Sequence, residues 1–168
     1  MKINGAGFSL LEILIYIAVI AVVTTAIGGV FLSVAAGQAR ADALAEINSN
    51  IRFALDKINQ DISAASVITT PVSAGDTSAT LSLISDAKQI TYCVANNQLH
   101  RGTGGICDGS SELITSQQVK VNNLTFTRLE NTNSVLVKTI VSIQAVLTIG
   151  YNGAGPLAIT KQITSSPR

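Results

Sequence analysis

The chain has 168 residues, of which 12% are Asp, Glu, Lys or Arg and 47% are hydrophobic, and its formal net charge is +1. That length holds one domain with a substantial core, but not comfortably two. Charge this sparse and balanced argues against a nucleic-acid binder, which clusters Lys and Arg on one face, so the distribution of apolar residues has to carry the reading.

A large share of them falls near the N-terminus. After a short stretch whose charged side chains are Lys2 and Glu12, residues 13–38 contain no ionisable group other than the Tyr16 phenol. At about 1.5 Å per residue this run spans roughly 39 Å as a helix, against a hydrocarbon core of roughly 30 Å. It can cross a bilayer. The basic N-terminal end places the N-terminus in the cytoplasm and the remainder outside. An ordinary cleaved signal peptide is the competing reading, because Ala35-Ala36-Gly37-Gln38-Ala39 supplies the small residues signal peptidase accepts. Against it, the apolar run is about twice the usual length of such a segment, and helical periodicity continues beyond it.

Leu44, Ile47, Ile51, Leu55, Ile58 and Ile62 recur at steps of three and four, with Asp42, Glu46, Asn50, Lys57 and Asp61 elsewhere. The first proline is Pro71. One helix is therefore expected, apolar over residues 8–38 and amphipathic over residues 39–66. Gly28 and Gly29 interrupt it, each at a cost of about 1 kcal/mol relative to Ala in an exposed helix. They permit either close helix packing in lipid or loosening of the helix as it leaves the bilayer.

After Pro71 the period changes to two. Residues 79–84, 89–95, 119–129, 135–151 and 157–163 read as strands, within a β-sheet domain spanning residues 67–168. Asn96-Asn97 reads as a hairpin turn and residues 131–134 as a second. An antiparallel sheet laid on the apolar stripe of the helix gives an α+β fold. Cys93 and Cys107 lie in a segment rich in Gly, Thr and Ser. If that segment is outside the cytosol, an even count favours one disulfide; in a reducing compartment the two remain thiols.

Catalysis finds no support in the residue types, and no metal or cofactor site is expected. His100 is the only histidine, which limits histidine-based triads and multi-histidine metal sites, and its hairpin position predicts a surface residue. Asp76, Asp86 and Asp108 lack calcium-loop spacing. Gly102-Thr103-Gly104-Gly105 lacks the strand and helix setting of a phosphate loop and reads as a flexible turn. Asn123-Leu124-Thr125 fits a glycosylation sequon, but lies in an expected strand.

Gly7-Phe8-Ser9-Leu10-Leu11-Glu12, preceded by a leader containing Lys2 and followed at once by the apolar run, resembles the prepilin processing signal of type IV pilins and type II secretion pseudopilins. The resemblance implies a leader of residues 1–7, cut between Gly7 and Phe8 by a membrane-embedded prepilin peptidase that then methylates the Phe8 amine. A glycine before the cut fits that chemistry, since it presents an unhindered, extended bond. The family's role for an acid at the Glu12 position is to neutralise the N-terminal amine of a neighbouring subunit and so set axial register. Ser9-Leu10-Leu11-Glu12 also satisfies the local capping box, in which Glu12 bonds back to the backbone at Ser9. The resemblance extends loosely, through Ala54 to Ile62, Ile90-Thr91-Tyr92 through Asn97-Gln98-Leu99-His100-Arg101, and Leu113 to Leu129, to the branch that holds the PilW minor pilins and pseudopilin J. It implies a structural subunit of a filament. Its partners would be other pilin or pseudopilin subunits, the peptidase, an inner-membrane assembly platform and membrane lipid. The reading from another class is a membrane-anchored or secreted β-rich binding domain behind an ordinary signal sequence.

Overall fold

The computed structural model describes residues 9–134, 138–153 and 157–167. Helix α1 (Leu10–Ala64) is followed by β1 (Val67–Thr70), β2 (Thr77–Ser78), β3 (Leu81–Ser85), β4 (Lys88–Ala95), β5 (Gln98–Thr103), β6 (Glu112–Leu113), β7 (Val119–Asn133), β8 (Lys138–Tyr151) and β9 (Ala158–Ser165). One long N-terminal helix and antiparallel sheets make this an α+β fold. With no proline in its length, α1 runs unbroken through Gly28 and Gly29. The chain divides into two compact units, the first ending at Asp42 and the second spanning Ala43–Arg168.

In the first unit the apolar side chains face outward, with Leu14 62% and Phe31 72% exposed. The helix is long and apolar enough to cross a membrane by length and composition, and none of its apolar window is buried. Its hydroxyls are satisfied locally: Thr24 Oγ1 donates to the Ile20 carbonyl at 2.8 Å and Thr25 Oγ1 to the Val22 carbonyl at 2.9 Å. A span in lipid requires such internal pairing of polar groups.

In the second unit the rest of α1 forms the spine of the core. Ile47, Ile51, Ile58 and Ile62 are fully buried, and Leu55 nearly so. Burying each isoleucine contributes about 1.5–3 kcal/mol over leaving it exposed. They share one cluster with Leu81, Leu83, Tyr92 and Leu99 on one side and Phe126, Ile143, Leu147 and Ile149 on the other. The helix ends where the sheet meets its last carbonyls: Ser85 Oγ donates to the Ala64 carbonyl at 3.1 Å, and the next turn is tightened by Ala65 N–H to the Ile62 carbonyl.

The strands form two sheets rather than the single one expected, ordered β1-β3-β4-β5-β6 and β2-β7-β8-β9. Alternation fixes which side chains face the core, but both sheets face the same helix, so their patterns read alike. β1 opens the expected β-sheet domain at Val67, although no strand was read ahead of Pro71. The β4–β5 turn is as read, with Asn96 and Asn97 at φ of 51° and 61°. A second two-residue turn, Asp86-Ala87, joins β3 to β4 with φ of 50° and 60°. Residues 131–133, read as part of a turn, belong to the β7–β8 ladder, which continues to Asn133 opposite Lys138; residues 135–137 of the expected strand lie outside the described residues.

Candidate functional site

Gly7 and Phe8, the residues of the expected processing site, lie outside the described residues. Glu12 is described, in the first turn of α1 and half-buried. Its N–H donates to the Ser9 carbonyl at 3.0 Å, as does that of Ile13 at 3.3 Å. Among the described residues no side-chain hydrogen bond closes the Ser9 to Glu12 capping box. A carboxylate here is favoured by the helix dipole.

In the second unit a polar cluster sits inside the core, and sequence reasoning missed it. Asp61 is on α1, whereas Tyr92 and Arg101 are directly opposite each other on β4 and β5, on the helix-facing side. One oxygen, Asp61 Oδ2, accepts from Tyr92 Oη at 2.6 Å and from Arg101 Nε at 2.7 Å. Arg101 Nη1 continues to Glu112 Oε2 on β6 at 3.2 Å. Burial, reinforced by the hydrogen bond to Asp61, pushes the Tyr92 hydroxyl well above the ordinary phenol range. The bond to Asp61 outweighs burial for Arg101 and raises its already high value further. Tyr92 and Arg101 therefore both keep their protons. The spacing could have revealed Asp61: it falls one turn after Ile58 and two after Ala54, on the buried stripe.

A second polar tie lies nearer the start of the unit. Glu46 Oε1 accepts from Ser116 Oγ at 2.7 Å and from Asn50 Nδ2 at 2.8 Å, and Asn50 Oδ1 accepts from the Ser116 N–H at 2.7 Å. Helix residues placed off the apolar stripe thus hold the segment that leads into β7.

Cys93 and Cys107 form a disulfide, with Cα atoms 6.0 Å apart. Its loop does not leave His100 at the surface. His100 is 4% exposed, opposite Cys93 in the β4–β5 ladder, and its Nδ1–H donates to the Ser111 carbonyl at 3.1 Å. Hairpin position alone misled, because the following loop folds back over the strand. That loop is ordered by Asp108, whose Oδ1 accepts from the Ser110 hydroxyl at 2.6 Å and the Ser110 N–H at 2.9 Å. These bonds hold its carboxyl below the usual range.

Among the described residues no three or more His, Cys, Asp or Glu side chains gather where they could hold a metal ion. In the second unit the site is one of packing and polar ties between the helix and two sheets. No protein-family model, curated protein or solved structure matches the chain.

Proposed function

We propose that the chain is a structural and assembly subunit, a minor pilin or pseudopilin, of a type IV pilus or type II secretion-like filament. The observation that carries this reading is the coincidence, in one stretch, of Gly7, Phe8, an acid at Glu12 and an apolar run that begins a helix whose later turns are the spine of a globular core. Each half of that helix then has a task. The exposed apolar half would sit in the inner membrane as a single pass, N-terminus inside, and afterwards pack in the filament. The amphipathic half ties down the outward-facing domain. The disulfide supports an oxidising compartment for that domain, and the filament would stand in the periplasm or at the cell surface. The prepilin peptidase, sister subunits, assembly platform and lipid are the partners on this reading, and the PilW and pseudopilin J branch is the placement within the family.

Mass spectrometry of the mature N-terminus tests it. N-methylphenylalanine at Phe8 is the expected result. A start near Ala36 or Ala39 would instead make the chain a domain released behind an ordinary signal sequence. Gly7→Leu should leave the uncut precursor in the membrane, since the bond before Phe8 would be hindered, and normal maturation of that variant would remove the processing step from the proposal.

A further inference from the structure

The face of the five-stranded sheet that looks away from α1 carries Thr91, Cys93 and His100, all buried, and Gly102, opposite Thr91 in the ladder. Residues 104–111 fold back onto this face and touch it at three places. Cys107 is bonded to Cys93, the Ser111 carbonyl accepts from His100 Nδ1, and the Ile106 carbonyl lies so close to Gly102 that a Cβ there would collide with it. At its start, Gly104 N–H donates to the Gln89 carbonyl at 2.9 Å.

Apart from these contacts and the turn that Asp108 makes within it, the segment has almost no buried apolar surface to hold it. Gly104, Gly105, Asp108, Gly109 and Ser110 are exposed, and Ile106, its one large apolar side chain, is 68% exposed. Without apolar burial, a segment opens at low free energy unless a covalent bond closes it. The core behind the sheet depends on other residues, namely Tyr92 and Leu99 packed against Ile51, Ile58 and Ile62. The second ring nitrogen of His100 is buried and has no hydrogen-bond partner among the described residues. Its enclosure therefore has to be imposed by what lies over it.

We infer that residues 104–111 form a redox-gated strap: the Cys93–Cys107 bond keeps it shut over this face, and reduction opens it while the helix-backed core stays folded. The reductant is a dithiol. One thiolate attacks a sulfur of the pair and releases the other cysteine as a thiol. The second thiol of the reductant then closes its own disulfide and frees the remaining cysteine, so two electrons pass to Cys93 and Cys107.

Full-length protein in detergent, with and without excess dithiothreitol, is compared by hydrogen exchange and by reaction of its single histidine with diethyl pyrocarbonate. On reduction, exchange in residues 104–111 should rise about tenfold or more and His100 should become reactive, while Tyr92, Leu99 and the helix from Ala43 onward keep their protection. Unchanged exchange in residues 104–111 after complete reduction overturns the inference. So does a loss of protection that spreads through β4, β5 and the helix, because the bond would then hold the whole domain. Cys107→Ser should show the open pattern without reductant and no further response to it, and a protected strap or an unfolded domain in that variant counts equally against the gate.

Discussion

Arg101 donates through Nε to Asp61 Oδ2 at 2.7 Å across forty positions of sequence, and joins the last turns of α1 to β5 of the five-stranded sheet. The side chains are only 17% and 10% exposed, so water screens the pair only in part. Asp61→Ala should therefore destabilise the domain by about 3 kcal/mol, because the buried Tyr92 hydroxyl loses its acceptor and the half-buried Arg101 guanidinium keeps only Glu112. Replacing both ions by apolar residues of similar size, Asp61→Leu with Arg101→Met, should cost less than Asp61→Ala alone. Denaturant unfolding of the three proteins decides the matter, and a double variant worse than the single would show that the pair stabilises beyond its desolvation cost.

Tyr92 makes the same cluster sensitive to alkali. Its folded-state pKa is raised above the ordinary phenol value by burial first and by Asp61 second. The stability this represents is complete below about pH 10, the unfolded value, and falls as pH rises beyond it, by about 1.4 kcal/mol per unit while the unfolded chain alone loses the proton. Tyr92→Phe should lower stability at pH 8 but flatten its fall between about pH 10 and 12. Equal slopes in the two proteins would place the alkaline sensitivity elsewhere.

The stripe on α1 was legible because a helical face repeats at a fixed interval, and Ile47, Ile51, Leu55, Ile58 and Ile62 are buried as that interval requires. Leu44, at the edge of the unit, is only half-buried. Asn96-Asn97 was legible because few residues other than glycine tolerate positive φ. What escaped depends on contacts distant in sequence. Two sheets on one helix share a single binary pattern, so their separation is invisible until ladders form. Asp61 was placed off the stripe although its spacing from Ile58 puts it on the buried face, and the partners that make its burial tolerable, Arg101 and Tyr92, come far later in the chain. His100 was misplaced for the same reason, since the strap that covers it comes later in the chain.

Ala87 sits at φ of 60° in the tight β3–β4 turn, a conformation that costs an L-residue roughly 1 kcal/mol and costs glycine nothing sterically. It is exposed, so the side chain supplies no packing in return. Ala87→Gly should raise stability by about 0.5 kcal/mol, after allowance for the greater freedom glycine has in the unfolded chain. A fall in the denaturation midpoint would mean that the turn is not strained.

Glu12 is where the local and the collective readings give opposite outcomes. Its backbone N–H is already spent on Ser9, and no side-chain hydrogen bond among the described residues engages its carboxylate. If that carboxylate neutralises the N-terminal amine of a neighbouring subunit, the attraction acts between packed helices, where the surrounding dielectric is low and charge pairs are strong. Glu12→Ala would remove that attraction and at the same time make the membrane helix more apolar. The variant should therefore insert and be cut after Gly7, yet enter filaments poorly. Were Glu12 only a cap, the change would cost about 1 kcal/mol of local helix stability and leave assembly largely intact. In-cell cross-linking to partner subunits, scored against the wild type at equal membrane levels, separates the two, and undiminished cross-linking would end the assembly role of Glu12.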